Sequence, residues 1–265
     1  MPTAELQASS LHFEISGPAT GPVVVLVNPL GSDLHMWDKV LPYLDTGFRV
    51  LRYDARGHGR STAPPIPYSI EQLGTDLLAL LQRISAETVH LCGLSLGGLV
   101  GLWLCIHAPE KIKSLVLANT GSRIGTSEGW DARITAVRSQ GIAPTAQATL
   151  SRWFTSDYSI EHPEEMNQIR EMIERTSPEG YIGCCGVLRD TDLRIELAAI
   201  EVPCLVITGS QDAATPPEDG RALHAGLRNS TYLELHASHL SAWERSAEFA
   251  GAILHLFQGK ERGNG

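Results

Sequence analysis

Short apolar runs recur along the chain, separated by longer stretches with helical spacing. Segments 23–27, 48–53, 89–94, 114–118, 204–208 and 231–235 read as strands. They are nearly all apolar rather than alternating, which predicts strands covered on both faces. Segment 11–16 does alternate, so it is expected to be an antiparallel edge strand. Over 70–84 the spacing puts Leu73, Leu77, Leu80, Leu81 and Ile84 on one stripe of a helix. Segment 96–107 is apolar almost all round and predicts a buried helix; 241–257 predicts a single terminal helix. Strands alternating with helices imply a mostly parallel, doubly wound α/β sheet.

The rhythm breaks between 121 and 199. There the chain turns more polar and helical, with Trp130, Arg133, Trp153, Phe154 and Tyr181 along it. The expected organisation is a core of 1–120 and 200–258, with 121–199 as a helical insertion covering one end of the sheet. The polar tail 259–265 is expected to be disordered.

Composition narrows the partners. The 265 residues are 43% hydrophobic and 19% charged, ordinary for a soluble globular protein. A formal net charge of -9 excludes nucleic-acid binding driven by bulk charge, which needs a basic stripe. An acidic ligand stays possible through a local arginine. The five cysteines are an odd number and form no C-x-x-C pair, so they read as reduced thiols of a cytoplasmic protein. No basic, apolar leader opens the chain. The longest apolar runs are too short to span a bilayer, so no membrane partner is expected.

Gly93-Leu94-Ser95-Leu96-Gly97 fits G-x-S-x-G, between an apolar strand and an apolar helix. That context holds a serine hydroxyl above a sheet edge on a turn too sharp for bulky neighbours. The hydroxyl needs a base to remove its proton. With this motif the acid and the base follow the serine in chain order, just past strand ends. His239, after the last strand, is the expected base, with His236 its local competitor. Asp212, four residues past the 204–208 strand, is the expected acid, holding the imidazole tautomer rather than taking its proton. Asn119 occupies the alternative acid position and cannot carry the charge. Two N–H donors are expected for a tetrahedral oxyanion: Leu96, at a helix N-terminus, and Leu30, in the loop Asn28-Pro29-Leu30-Gly31. Arg56-Gly57-His58-Gly59 is expected to be a structural turn, with Asp54 and Arg56 bonded locally.

With these residues in place the chain resembles the α/β-hydrolase superfamily. In particular it is similar to the 3-oxoadipate enol-lactonases of bacterial aromatic catabolism. The stretches that carry this are 28–38, 52–59, 93–98, 117–120, 189–192 and 237–241; the particular ones are Leu34-His35-Met36-Trp37-Asp38 and Arg189-Asp190-Thr191-Asp192. Pro29 departs from the Asn-Ser-Leu-Gly usual there. The resemblance implies an α/β-hydrolase fold with a helical lid. It also implies hydrolysis of a small anionic enol-lactone to 3-oxoadipate in the beta-ketoadipate pathway. Ser95 would attack, forming an acyl-enzyme, and no metal or cofactor would be needed. The substrate's carboxylate then requires a cationic partner, for which Arg133 and Arg189 are the insertion's candidates. Trp153 is expected to wall the pocket.

Other chemistries fit the same triad: a carboxylesterase, another lactonase, or a carbon–carbon hydrolase. Beyond enzymes lies a ligand-binding protein built on the same fold, against which the three triad residues argue. A haloalkane dehalogenase would need a carboxylate in place of Ser95.

Overall fold

The computed structural model describes residues 3–6 and 9–259. Eight strands form one sheet: β1 (Thr3–Leu6), β2 (Ser9–Ser16), β3 (Val23–Val27), β4 (Arg49–Tyr53), β5 (Val89–Leu94), β6 (Ile112–Ala118), β7 (Cys204–Gly209) and β8 (Ser230–Leu235). The short helix α1 (Leu41–Leu44) precedes β4; α2 (Ile70–Arg83) and α3 (Leu96–His107) flank β5. Between β6 and β7 the chain is wholly helical in its regular structure. It runs through α4 (Ser127–Gln140), α5 (Ala143–Trp153), α6 (Ser156–Glu161), α7 (Pro163–Glu174) and α8 (Pro178–Asp190). The chain ends in α9 (Pro217–Gly226), α10 (Ser241–Glu244) and α11 (Ser246–Phe257).

Strand order is β1-β2-β4-β3-β5-β6-β7-β8, parallel from β4 to β8 and antiparallel at β1–β2 and β2–β4. Helices cover both faces, and β5 shows why its sequence does not alternate apolar with charged residues. His90 packs its ring 4.9 Å from Phe257 of α11, while the next residue, Leu91, meets α3 at Gly101. Successive strand residues point to opposite faces, so both must be compatible with burial. Helix α2 follows the expected stripe, and a capping box between Ser69 and Gln72 fixes its start.

Three expectations need correcting. Segment 11–16 is not the sheet edge, because β1 pairs outside it. Strand β8 is not covered on both faces; as the last strand it leaves Thr231 and Glu234 exposed. The terminal helix is two helices, broken where Arg245 leaves helical geometry (φ -126°, ψ 46°). The expected tail begins with Gly259 in a turn, and 260–265 lie outside the described residues.

The 54–60 turn is also more than local. Arg56 donates through Nε and Nη2 to Asp76 on α2, both at 2.8 Å, and both side chains are buried. Asp54 accepts from the N–H groups of Leu34 (2.8 Å) and Arg60 (2.9 Å). Burial raises the Asp76 carboxyl despite its partner. Removing the guanidinium would strand that carboxylate. We therefore predict that Arg56→Met loses about 3–5 kcal/mol in urea unfolding at neutral pH. Adding Asp76→Asn should recover much of the loss. An unchanged midpoint in Arg56→Met would show the pair to be dispensable.

Candidate active site

Strands β4 and β5 lie on opposite sides of β3, so the chain changes direction across the sheet there. The crevice past the carboxyl ends of β3 and β5 is where such sheets place ligands. Ser95 follows β5 directly there, as the N-cap of α3, at φ 56° and ψ -116°. This is a region that L-residues enter only at a cost of ~1–3 kcal/mol. The turn is held by Ser95 N–H to Ala118 O (2.9 Å) and by Thr120 Oγ1 donating to Ser95 O (2.7 Å). Its tightness explains two glycines. A Cβ at Gly97 would lie 2.2 Å from Val27 O, and one at Gly93 would lie 2.1 Å from Gly97 O.

His239 and Asp212 meet in the interior. His239 Nδ1 lies 2.8 Å from Asp212 Oδ2, and both side chains are almost fully buried. An ionised carboxylate only accepts, so Nδ1 carries the proton and Nε2 is left as the acceptor. Asp212 also accepts from Ala214 N–H (2.8 Å), Thr215 N–H (3.0 Å), Thr215 Oγ1 (2.7 Å) and Asn119 Nδ2 (3.0 Å). Burial alone would raise this carboxyl. The charge and hydrogen bond of His239, with the Thr215 and Asn119 donors, outweigh burial and hold it at about 2. His236 is exposed beside Gln211 and belongs to no such network.

The loop after β3 is positioned from β4 and the turn beyond it. Asn28 donates to Tyr53 O (2.9 Å) and accepts from Trp37 Nε1 (2.8 Å). His58 Nε2 accepts the Gly31 N–H at 3.0 Å, which leaves Nδ1 to donate to Arg56 O at 3.1 Å. Burial lowers this imidazole to about 4, so it remains a neutral acceptor. Leu30 thereby sits in the wall of a cavity of about 200 Å³ that also holds Ser95 and His239. Leu96 opens α3 directly after Ser95, with its backbone N–H at the positive end of the helix and its side chain buried.

The far wall comes from the helices between β6 and β7. Trp130 and Arg133, one turn apart on α4, line the cavity together with Tyr181 of α8. Arg133 Nη1 donates to the Tyr181 hydroxyl at 3.1 Å. Trp153 at the end of α5 lines the cavity, its ring 6.3 Å from that of His239. Arg189 is not there. It faces outward to Asp131 (2.9 Å) and Asp190 (2.8 Å), while its neighbour Leu188 lines the cavity. One residue along a helix turns a side chain by about 100°, which is why only one of the two can point in. Sequence reasoning missed Arg152, which lines the cavity beside Trp153. The signal was its spacing: residues 149, 152 and 153 share one face of α5. Burial first, then the nearby Arg133 charge, lowers the Arg152 guanidinium. Among the described residues, no carboxylate forms a salt bridge with either arginine. The described residues contain no cluster of three or more His, Cys, Asp or Glu able to hold a metal ion, and no helix long and apolar enough to cross a membrane. All five cysteines are buried and free.

A family model for the alpha/beta hydrolase fold matches residues 22–246. Over 251 residues the chain is 39% identical to 3-oxoadipate enol-lactonase 2 of Acinetobacter baylyi, covering 95% of this chain and 94% of that one. The enol-lactonase 1 of the same organism is 34% identical, covering 96% and 93%. The crystal structure of the enol-lactonase from Burkholderia xenovorans superposes with a TM-score of 0.95 at 40% identity, covering 97% of this chain and 100% of that one.

The low Asp212 carboxyl makes a signed prediction. A carboxyl depressed by folding stabilises the fold above its ordinary value near 3.8, and the gain is lost as pH falls through about 2. Between pH 4 and pH 2 the wild type should therefore lose about 2 kcal/mol more than Asp212→Asn does. Urea unfolding across that range measures the difference. Parallel curves would refute the depression.

Proposed function

This chain belongs to the alpha/beta hydrolase fold family and to its 3-oxoadipate enol-lactonase branch, and on that ground we propose that it opens a small enol-lactone carrying a carboxymethyl group. The observation that carries this reading is the cavity itself. It has Ser95 and His239 on one side and, on the other, two arginines that no carboxylate among the described residues bridges.

In this proposal His239 Nε2 takes the Ser95 hydroxyl proton while Oγ bonds to the lactone carbonyl carbon. The carbonyl oxygen becomes an oxyanion, held by the Leu30 and Leu96 N–H groups. Collapse breaks the ring C–O bond. The electron pair leaves on an enolate, which is a better leaving group than an alkoxide. The enolate receives the proton from His239 and tautomerises to the ketone, which disfavours reclosure. Water, deprotonated by His239, then attacks the acyl-enzyme and frees 3-oxoadipate and Ser95. Asp212 keeps the imidazole in its productive tautomer throughout.

Arg133 and Arg152 would hold the carboxymethyl group. Trp130 and Trp153 would exclude water around the ring. Segment 121–199 would act as the lid that supplies this wall over a core of 1–120 and 200–258. The reaction would serve the beta-ketoadipate route of aromatic catabolism in the cytoplasm.

The test is a spectrophotometric assay on freshly generated enol-lactone beside p-nitrophenyl acetate. Ser95→Ala should lose roughly 10⁴-fold or more in kcat on both. Arg152→Gln should lower kcat/KM on the lactone by about 10–100-fold, with a smaller effect on the neutral ester. An inert lactone beside a rapidly hydrolysed ester would remove the substrate assignment and leave the triad chemistry standing.

A further inference from the structure

Two adjacent residues shortly after His239 reach into the helical segment between β6 and β7. Trp243 Nε1 donates to Glu165 of α7 at 2.6 Å, where Lys39 also binds. Glu244 binds in two directions. Its Oε2 accepts the Ser238 N–H at 2.9 Å. Its Oε1 accepts the Thr155 N–H at 3.3 Å and the Thr155 hydroxyl. Ser238 immediately precedes His239, and Thr155 closely follows Arg152 and Trp153. The same two segments meet again through Leu240 N–H to Trp153 O (2.9 Å) and Ser238 Oγ to Arg152 O (2.8 Å). Glu244 itself does not line the cavity.

The two sides of this clamp are not equally anchored. Ser238 is also tied to the sheet: its carbonyl accepts from Asn119 Nδ2 at 3.1 Å, and its hydroxyl lies 3.2 Å from Gln211 O. His239 is held by Asp212. Loss of Glu244 would therefore loosen the Arg152–Trp153 wall more than the histidine.

We propose that Glu244 is a positioning residue that keeps the Arg152–Trp153 wall in register with His239, so that it governs turnover of carboxylate-bearing acyl groups more than of neutral ones. The inference rests on the reading that the arginines take the substrate carboxylate. An acyl group held at Arg152 is aligned with Ser95 only if the wall is. A neutral acyl group takes its alignment from Ser95 and the oxyanion donors alone.

The experiment uses two aryl esters, p-nitrophenyl acetate and the mono-p-nitrophenyl ester of succinate. Wild type, Glu244→Gln and Thr155→Val are compared in kcat and KM. Thr155→Val attacks the same clamp from the other side with little change of shape. In both variants kcat on the succinyl ester should fall about tenfold or more, with KM and acetyl turnover each within about threefold of wild type. A purely structural role would lower both esters together, and that result overturns the proposal. So does a succinyl preference that survives in the folded variants; should Glu244→Gln fail to fold, Thr155→Val decides. A wild type with no succinyl preference removes the underlying carboxylate reading, and the inference with it, before any variant is made.

Discussion

The sharp turn at Ser95 is the constraint around which the rest is arranged. A residue held at φ 56° is strained, and it persists only because its surroundings over-determine it. Those surroundings reach across three strands. Backbone from β6 holds Ser95 N–H, Thr120 beyond β6 holds Ser95 O, and Val27 at the end of β3 presses against Gly97. The same parallel register that pairs Val27 with Gly93 sets the loop after β3 beside the serine. The Ser95 turn and the Leu30 loop are thus fixed by one sheet geometry.

Around that turn, charge is sorted by partner. His58 is buried and neutral, and serves as an acceptor for the Gly31 N–H. Asp212 is buried and ionised because five hydrogen bonds converge on its two oxygens. Arg133 and Arg152 carry charge toward the cavity with no carboxylate bridged to either among the described residues. A chain with net charge -9 would repel an anion at long range. Any attraction of an anion to this site would therefore be local, strengthened by the low dielectric of a walled cavity.

Legibility in the sequence tracks how local the determinant is. The place of Ser95 was readable because a glycine-flanked serine between an apolar strand and an apolar helix allows little else. Asp212 and His239 were readable as positions, because each falls just past a strand end. That Arg189 points away from the cavity and Arg152 into it is not legible in the sequence for one reason: among helices, orientation decides, and orientation depends on packing between segments far apart in sequence. Adjacent residues such as Leu188 and Arg189 point about 100° apart around their helix, yet both sit in an equally suggestive stretch. The outermost strand β1 is four residues long, too short for a periodic signal.

The break between α10 and α11 shows the same limit from the other side. The pattern over 241–257 is compatible with one continuous helix, and nothing local forbids it. What interrupts it is tertiary: Trp243 and Glu244 both engage the helices across from the histidine loop. A straight helix would fix the direction of α10 by that of α11, which packs against the sheet. By leaving helical geometry at Arg245, the chain lets α10 face the wall while α11 faces the core. Local propensity yields here because two surfaces must be satisfied at once, and the residue at which it yields lies six positions from the candidate base.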